Sequence, residues 1–162
     1  FTSIGNHITK NLGRLNADLS VDPSWVFQMN GTIRCLTTKG NQIIVGGEFT
    51  TINGNTRNRL ALIASNGTVD SQWNPNVNNS VYSLAVKGND LFVGGFFSQI
   101  GNLTRNNLAK VSLQTQGEVD ASWNPNCNGT VSTLLSTGAP PVQARLIQHG
   151  THHRMGMFIR SD

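Results

Sequence analysis

Three cations and three carboxylates recur along this chain at nearly even spacing. Lys10, Arg57 and Arg105 each stand just before a Leu-containing apolar run. Asp22, Asp70 and Asp120 each lie three residues ahead of a tryptophan: Trp25, Trp73 or Trp123. Two kinds of chemistry suit them. Cations gathered on one rim would form a ring that captures an anionic glycan. Alternatively, each cation bonds to an Asp or to loop carbonyls and pins the unit that carries it. A group repeated in every unit serves the unit, which favours pinning; heads of Arg57 and Arg105 lying free in solvent and coplanar would reverse the order. The carboxylates could also hold Ca²⁺, which takes about six to eight oxygens. No D-x-D-x-D series stands beside them, so a turn-capping Asp is the default.

Other chemistry is thinly provided. Oxidase chemistry through a copper site and a Tyr–Cys partnership would fall on Tyr82, the sole tyrosine, and His7 is the only histidine before the last 26 residues. No carboxylate pair stands out for glycoside hydrolysis, whose two acids lie about 5 to 9.5 Å apart. G-x-S-x-G, H-E-x-x-H and a phosphate loop are all missing. His149, His152 and His153 form a His-rich tract that could bind a transition metal, yet they lack the i, i+4 pairing of a helical zinc motif. No catalytic residue and no cofactor is expected.

The units behind the recurring charges begin at Phe1, Phe49 and Phe97, 48 residues apart. Ile4, Ile52 and Ile100 correspond, as do Leu12, Leu60 and Leu108. Val45-Gly46-Gly47 returns as Val93-Gly94-Gly95, and Trp123 falls two residues late because LQTQGE is longer than its counterpart. The third copy loses the pattern after about residue 136. Self-similarity at such a period means that each copy buries its apolar face only against its neighbours.

Within one period the predicted strands are 33–38, 42–49, 59–64 and 69–73. The Lys39–Gln42 turn, the 50–58 loop and an Asn66-Gly67 hairpin turn separate them, and Pro75 ends the series. Four strands in 48 residues predict an all-β chain, a partial β-propeller of four-stranded antiparallel blades. The glycine pairs predict close approach by a neighbour, with Phe49, Phe97 and the three tryptophans as the expected fillers of that space and as inter-blade core.

Composition agrees. Charged residues are 12%, about half the usual share of roughly 25%, and the chain holds 20 Asn, most beside Gly, Ser, Thr or Pro. Asn and Gly tolerate left-handed turns. The net charge of +4 divides evenly. Residues 1–136 carry nine Lys or Arg against seven Asp or Glu, and the remaining 26 carry three against one. With no Lys/Arg run and no aromatic RNA motif, the clustered charge that nucleic acid needs is missing. Cys35 and Cys127 occupy different positions of the repeat and are read as free thiols. No apolar stretch reaches the ~18 residues of a membrane span.

The order F-T-x-I-x-G-x-T-R-N-x-L-A, V-D-x-x-W-N-P-N, N-G-T-V-x-x-L and V-G-G-x-F resembles the delta-60 repeat β-propeller family over residues 1 to about 136. Kelch or galactose-oxidase propellers and fungal cortical-marker propellers are similar more distantly. The resemblance implies four-stranded blades within large secreted or cell-surface bacterial proteins, and it carries over no catalytic residue. The first copy departs from it, with Val26-Phe27-Gln28 where the others have Asn-Pro-Asn.

Residues 1–136 are therefore expected to form a repeat segment of about two complete blades with partial ones beside them. Residues 137–162, which contain no Asn but three of the four His, are expected to be an atypical tail, disordered or out of phase. The chain is read as a fragment whose partners are the remaining blades and domains of a parent protein and a glycan or protein ligand. Its expected role is non-catalytic, a scaffold or a binder; the alternative is a fragment of a carbohydrate-active enzyme whose catalytic site lies elsewhere. Five sequons, at Asn30, Asn66, Asn78, Asn102 and Asn128, are read as a by-product of composition. Alone, such a segment is expected to expose strand edges and associate.

Overall fold

The computed structural model describes residues 1–136 and 155–158. All regular structure there is β. A short hairpin, β1 (Ser3–Ile4) with β2 (His7–Ile8), opens the chain. The first blade consists of β3 (Ile33–Lys39), β4 (Gln42–Gly47) and, after the small hairpin of β5 (Thr51–Ile52) and β6 (Asn55–Thr56), β7 (Leu60–Ile63). The second repeats it with β8 (Val81–Lys87), β9 (Asp90–Gly95), β10 (Gln99–Ile100), β11 (Leu103–Thr104) and β12 (Leu108–Ser112). β13 (Val131–Leu135) stands where a third blade would begin and pairs in parallel with β14 (Met155–Phe158). The expectations for the tail, and for His149, His152 and His153, otherwise lie outside the described residues.

Each blade is antiparallel, in the orders β3-β4-β7 and β8-β9-β12. Its fourth strand is contracted to a single bridge, Ile63 to Val69 in one blade and Val111 to Val119 in the other. Flanking hydrogen bonds hold each bridge: Ala64 N to Thr68 O and Asp70 N to Leu62 O, then Ser112 N to Glu118 O and Asp120 N to Lys110 O. The strand expected over 69–73 stops there because the Asp70 side chain accepts from the backbone N–H groups of Gln72 and Trp73. That local turn competes with further pairing. The expected 50–58 loop contains a hairpin of its own, turned by Asn53 (φ 50°) and Gly54 (φ 78°). Two positive φ values in succession make the turn that matches strand twist.

Three apolar clusters hold the units together. Leu12, Trp25, Phe27 and Met29 pack on Val45, Ala61 and Ile63 of the first blade. Trp73, Val77 and Val81 lie with Ile44, Leu60 and Leu62 on one side and Leu91, Val93 and Val111 on the other. Phe92, Leu108 and Cys127 meet Val131 and Leu134 of β13. β4 and β9 are therefore covered on both faces, which suits their unbroken apolar runs. β3 is covered less. Leu36 is 59% exposed, whereas Leu84, one period later, is 9% exposed.

Candidate functional site

Arg57 and Arg105 occupy equivalent places with equivalent bonds. Arg57 Nη1 donates to the Thr56 carbonyl at 2.6 Å and Nη2 to the Asp70 carbonyl at 2.9 Å. Arg105 Nη1 donates to the Thr104 carbonyl at 2.8 Å, and Nη2 to the carbonyls of Asp120 and Ala121 at 2.8 and 3.0 Å. The two residues are only 7% and 5% exposed. Each guanidinium ties the small hairpin to the turn after the outer bridge, so the heads of Arg57 and Arg105 do not lie free in solvent. Lys10 needs a correction of register. Counting back 48 from Arg57 reaches Thr9, whose buried hydroxyl donates to the Leu12 carbonyl, while Lys10 itself is exposed.

The three aspartates share one role and differ in a second. Asp22 Oδ1 accepts from Ser24 N at 2.9 Å, Asp70 Oδ1 from Gln72 N at 2.8 Å, and Asp120 Oδ1 from Ser122 N at 2.8 Å. Each caps the turn into its tryptophan. The second oxygen of Asp22 pairs with Arg14, and that of Asp120 with Lys110 at 2.5 Å. The corresponding position opposite Asp70 is Leu62. Hydrogen bonds from Ser24 and Arg14 bring the Asp22 carboxyl down to about 2. The Lys110 ammonium, followed by the Ser122 hydroxyl, holds Asp120 well below the ordinary range. No three His, Cys, Asp or Glu side chains converge on a common point among the described residues.

The tryptophans mark the three interfaces. Trp73 Nε1 donates to the Ser112 carbonyl at 3.0 Å, reaching into the second blade. Trp25 lies edge-on to Phe27 with the Arg14 guanidinium 4.4 Å above its ring, and its Nε1 has no hydrogen-bond partner. The difference follows from turn length. In the shorter turn of the first blade Gly67 N donates to the Ala64 carbonyl, the equivalent of Ser112. The two-residue-longer turn of the next repeat leaves Ser112 O to the indole. Trp123 meets Phe92 edge-on, ring centres 5.4 Å apart.

The glycine pairs do admit close neighbours, but not the expected aromatics. A Cβ on Gly46 would lie 2.6 Å from Val81 Cγ1, and one on Gly94 would lie 2.7 Å from Val131 Cγ1. The valine that opens each following blade shares the space with a side chain of the glycine's own blade, Cys35 Sγ at 2.8 Å and Ser83 Oγ at 2.5 Å. Gly47 and Gly95 serve the blade itself: a Cβ there would lie 2.1 Å from Thr32 O and 2.2 Å from Ser80 O, beside the bulges of β3 and β8. Phe49 and Phe97 are buried in the clusters between units.

Asn30 and Asn78, which the sequence offered only as sequons, are clamps. Asn30 Oδ1 accepts from Thr50 N and Thr51 N at 2.8 and 2.9 Å, and its Nδ2 donates to Thr50 Oγ1 at 2.6 Å. Asn78 makes the same three bonds to Ser98 and Gln99. Their spacing, again 48, was the available signal. Beside Asn78, the segments before β8, after β9 and before β12 enclose a cleft of about 260 Å³. Of the thiols, Cys35 packs under Val81, and burial pushes it up to about 12; burial also raises Cys127.

Antiparallel blades of three strands and an outer bridge, stacked at a 48-residue period, define this chain as a β-propeller segment. Residues 41–72, from β4 through the first outer bridge, match a family described as a domain of unknown function (DUF5122) beta-propeller. No curated protein and no solved structure matches the chain. No helix among the described residues is long and apolar enough to cross a membrane.

Proposed function

We propose that the chain is a non-catalytic propeller segment of the delta-60 repeat type, borne by a larger secreted or cell-surface bacterial protein, and that it serves as a scaffold presenting a glycan-binding rim. Residues 1–136 are the propeller part, and residues 137–162 a separate tail. The observation that carries the reading is the engagement of the recurring polar groups. Arg57 and Arg105 bond to backbone carbonyls, and Asp22, Asp70 and Asp120 cap turns. The groups repeated from unit to unit thus pin each unit, which leaves recognition to the variable loops of a rigid scaffold. Function on such a fold is decided by the site rather than the architecture.

The test is a glycan array probed with the intact protein, with release of reducing ends measured on the bound sugars. Binding without release is the expected result. Sugar release would assign the protein to the carbohydrate-active enzymes, and an empty array would overturn glycan binding. Protease accessibility on intact cells checks the location: protection until the cells are lysed would count against a surface protein.

A further inference from the structure

If repeated residues hold the blades, a ligand is read where one repeat departs from the next on exposed surface. One departure stands out. Arg34 Nη2 donates to Glu48 Oε1 at 3.0 Å, an ion pair between β3 and the residue after β4. One period later the same two positions are Tyr82 and Phe96. Both charges are gone, and Phe96 is 55% exposed although Phe97 beside it is buried.

Phe96 lines the cleft of about 260 Å³ together with Asn78, Asn79, Ser98, Asn106 and Asn107. Every lining residue is uncharged. Several of the amides are fixed by bonds that leave other atoms unengaged. Asn106 Nδ2 donates to Asn126 Oδ1 at 2.7 Å, and Asn107 Nδ2 to the Cys127 carbonyl at 3.0 Å. Asn79 Oδ1 accepts from Ser80 N at 2.8 Å. Among the described residues, Asn106 Oδ1, Asn107 Oδ1 and Asn79 Nδ2 make no hydrogen bond. The wall thus offers two acceptors and a donor beside an exposed aromatic face.

We propose that this cleft is a subsite for one neutral sugar residue of a glycan. The ring would lay its C–H face on Phe96 and bond its hydroxyls to the Asn79, Asn106 and Asn107 amides. The lining sets two phenylalanines among five polar side chains, a wall polar enough for a hydroxylated ligand, and the volume falls just under the usual lower bound of about 300 Å³, which suits a single ring. With no cation in the lining, an acidic sugar finds no counter-charge. The inference rests on the glycan-binding reading above and adds to it the place and the class of sugar.

The test compares the intact protein with its Phe96→Ala, Phe96→Glu and Phe96→Trp forms on an array of neutral and acidic oligosaccharides, with Tm as the check on folding. Phe96→Glu restores the residue of the preceding repeat. The expected result is binding to neutral glycans that falls about tenfold or more in the Ala and Glu forms, as truncation of an aromatic anchor does, and persists in the Trp form at unchanged Tm. Unaltered binding in the Ala and Glu forms would overturn the cleft and leave glycan binding standing. Binding to acidic sugars alone would overturn the class of ligand, and no binding by the wild type would overturn both readings. A measurement without substitution accompanies it: the best neutral sugar from the array should shift the side-chain amide signals of Asn79, Asn106 and Asn107, and shifts confined to other residues would overturn the site.

Discussion

Val81, the residue that opens the second blade, occupies the space that a side chain on Gly46 of the first would need, the two only 2.6 Å apart once a Cβ is added. Strand β4 lies between β3 and β7 in its own sheet, so it has little room to move aside. Gly46→Ala is expected to cost about 1–3 kcal/mol, the range for overpacking a filled core, read as a lowered urea midpoint. Gly94→Ala against Val131 should behave alike. Gly129, with nothing within 4 Å of its added Cβ, is the control, and its change to Ala should stay within about 0.5 kcal/mol. Adding Val81→Ala to Gly46→Ala should recover part of the loss, since residues in contact couple.

Arg57 and Arg105 are expected to act on stability and not on ligand. Replacing Arg105 by Lys keeps the charge but loses the planar fork that reaches Thr104, Asp120 and Ala121 together. These bonds are part-buried, and a hydrogen bond to a charged group is worth about 1.5–3 kcal/mol. Arg105→Lys should therefore lower the urea midpoint with glycan binding unchanged at a temperature where the variant is folded. Lost binding at full stability would restore the rim-cation reading.

Much of this was legible in the periodicity. The equivalence of Leu12, Leu60 and Leu108, and of the glycine pairs, follows from counting 48, and the strands fall where the apolar runs do. What counting could not supply was the partner of each group. Val81 and Val131, and not an aromatic, meet the glycines because the contact runs from one blade to the next, where strand offset decides which side chains face. Thr9 takes the place of an arginine, and searching for the nearest cation found Lys10 one residue away. Asn30 and Asn78 passed as sequons because N-G-T and N-N-S have the same form whether the amide clamps a strand or carries a sugar. The contraction of the fourth strand was hidden in Asp70, whose side chain takes the Gln72 and Trp73 N–H groups that further pairing would use.

Leu19 adopts φ 68°, the conformation that glycine takes at Gly67 and Gly117 in the later repeats. A leucine there is strained by its Cβ, at a cost of roughly 1–2 kcal/mol, and its side chain is 78% exposed, so it buries little in return. Leu19→Gly is expected to stabilise the protein by about 1 kcal/mol, less the added freedom of glycine in the unfolded chain. A thermal melt of the variant beside Gly67→Ala should show shifts of opposite sign: upward for the first, downward for the second.

The carboxylates that cap the turns set the response to acid. Asp22 and Asp120 both lie below their ordinary value of 3.8 in the folded protein, Asp22 at about 2. A lowered folded value means that the unfolded chain binds protons more readily, so the stability these groups add is complete above about pH 4 and falls away as the pH drops toward 2. Lys110 moves the other way, raised above 10.5 chiefly by its bond to Asp120. Its contribution is complete below that value and disappears as the pH climbs through the raised one. The Lys110–Asp120 pair should therefore support the second blade across a plateau from about pH 4 to about pH 10, with losses on both sides. Urea midpoints measured from pH 2 to pH 11 should follow that shape. In Asp120→Asn the plateau should be lower and both limbs shallower, while the acid limb contributed by Asp22 remains. An Asp120→Asn profile parallel to the wild type at every pH would remove the pair from the account.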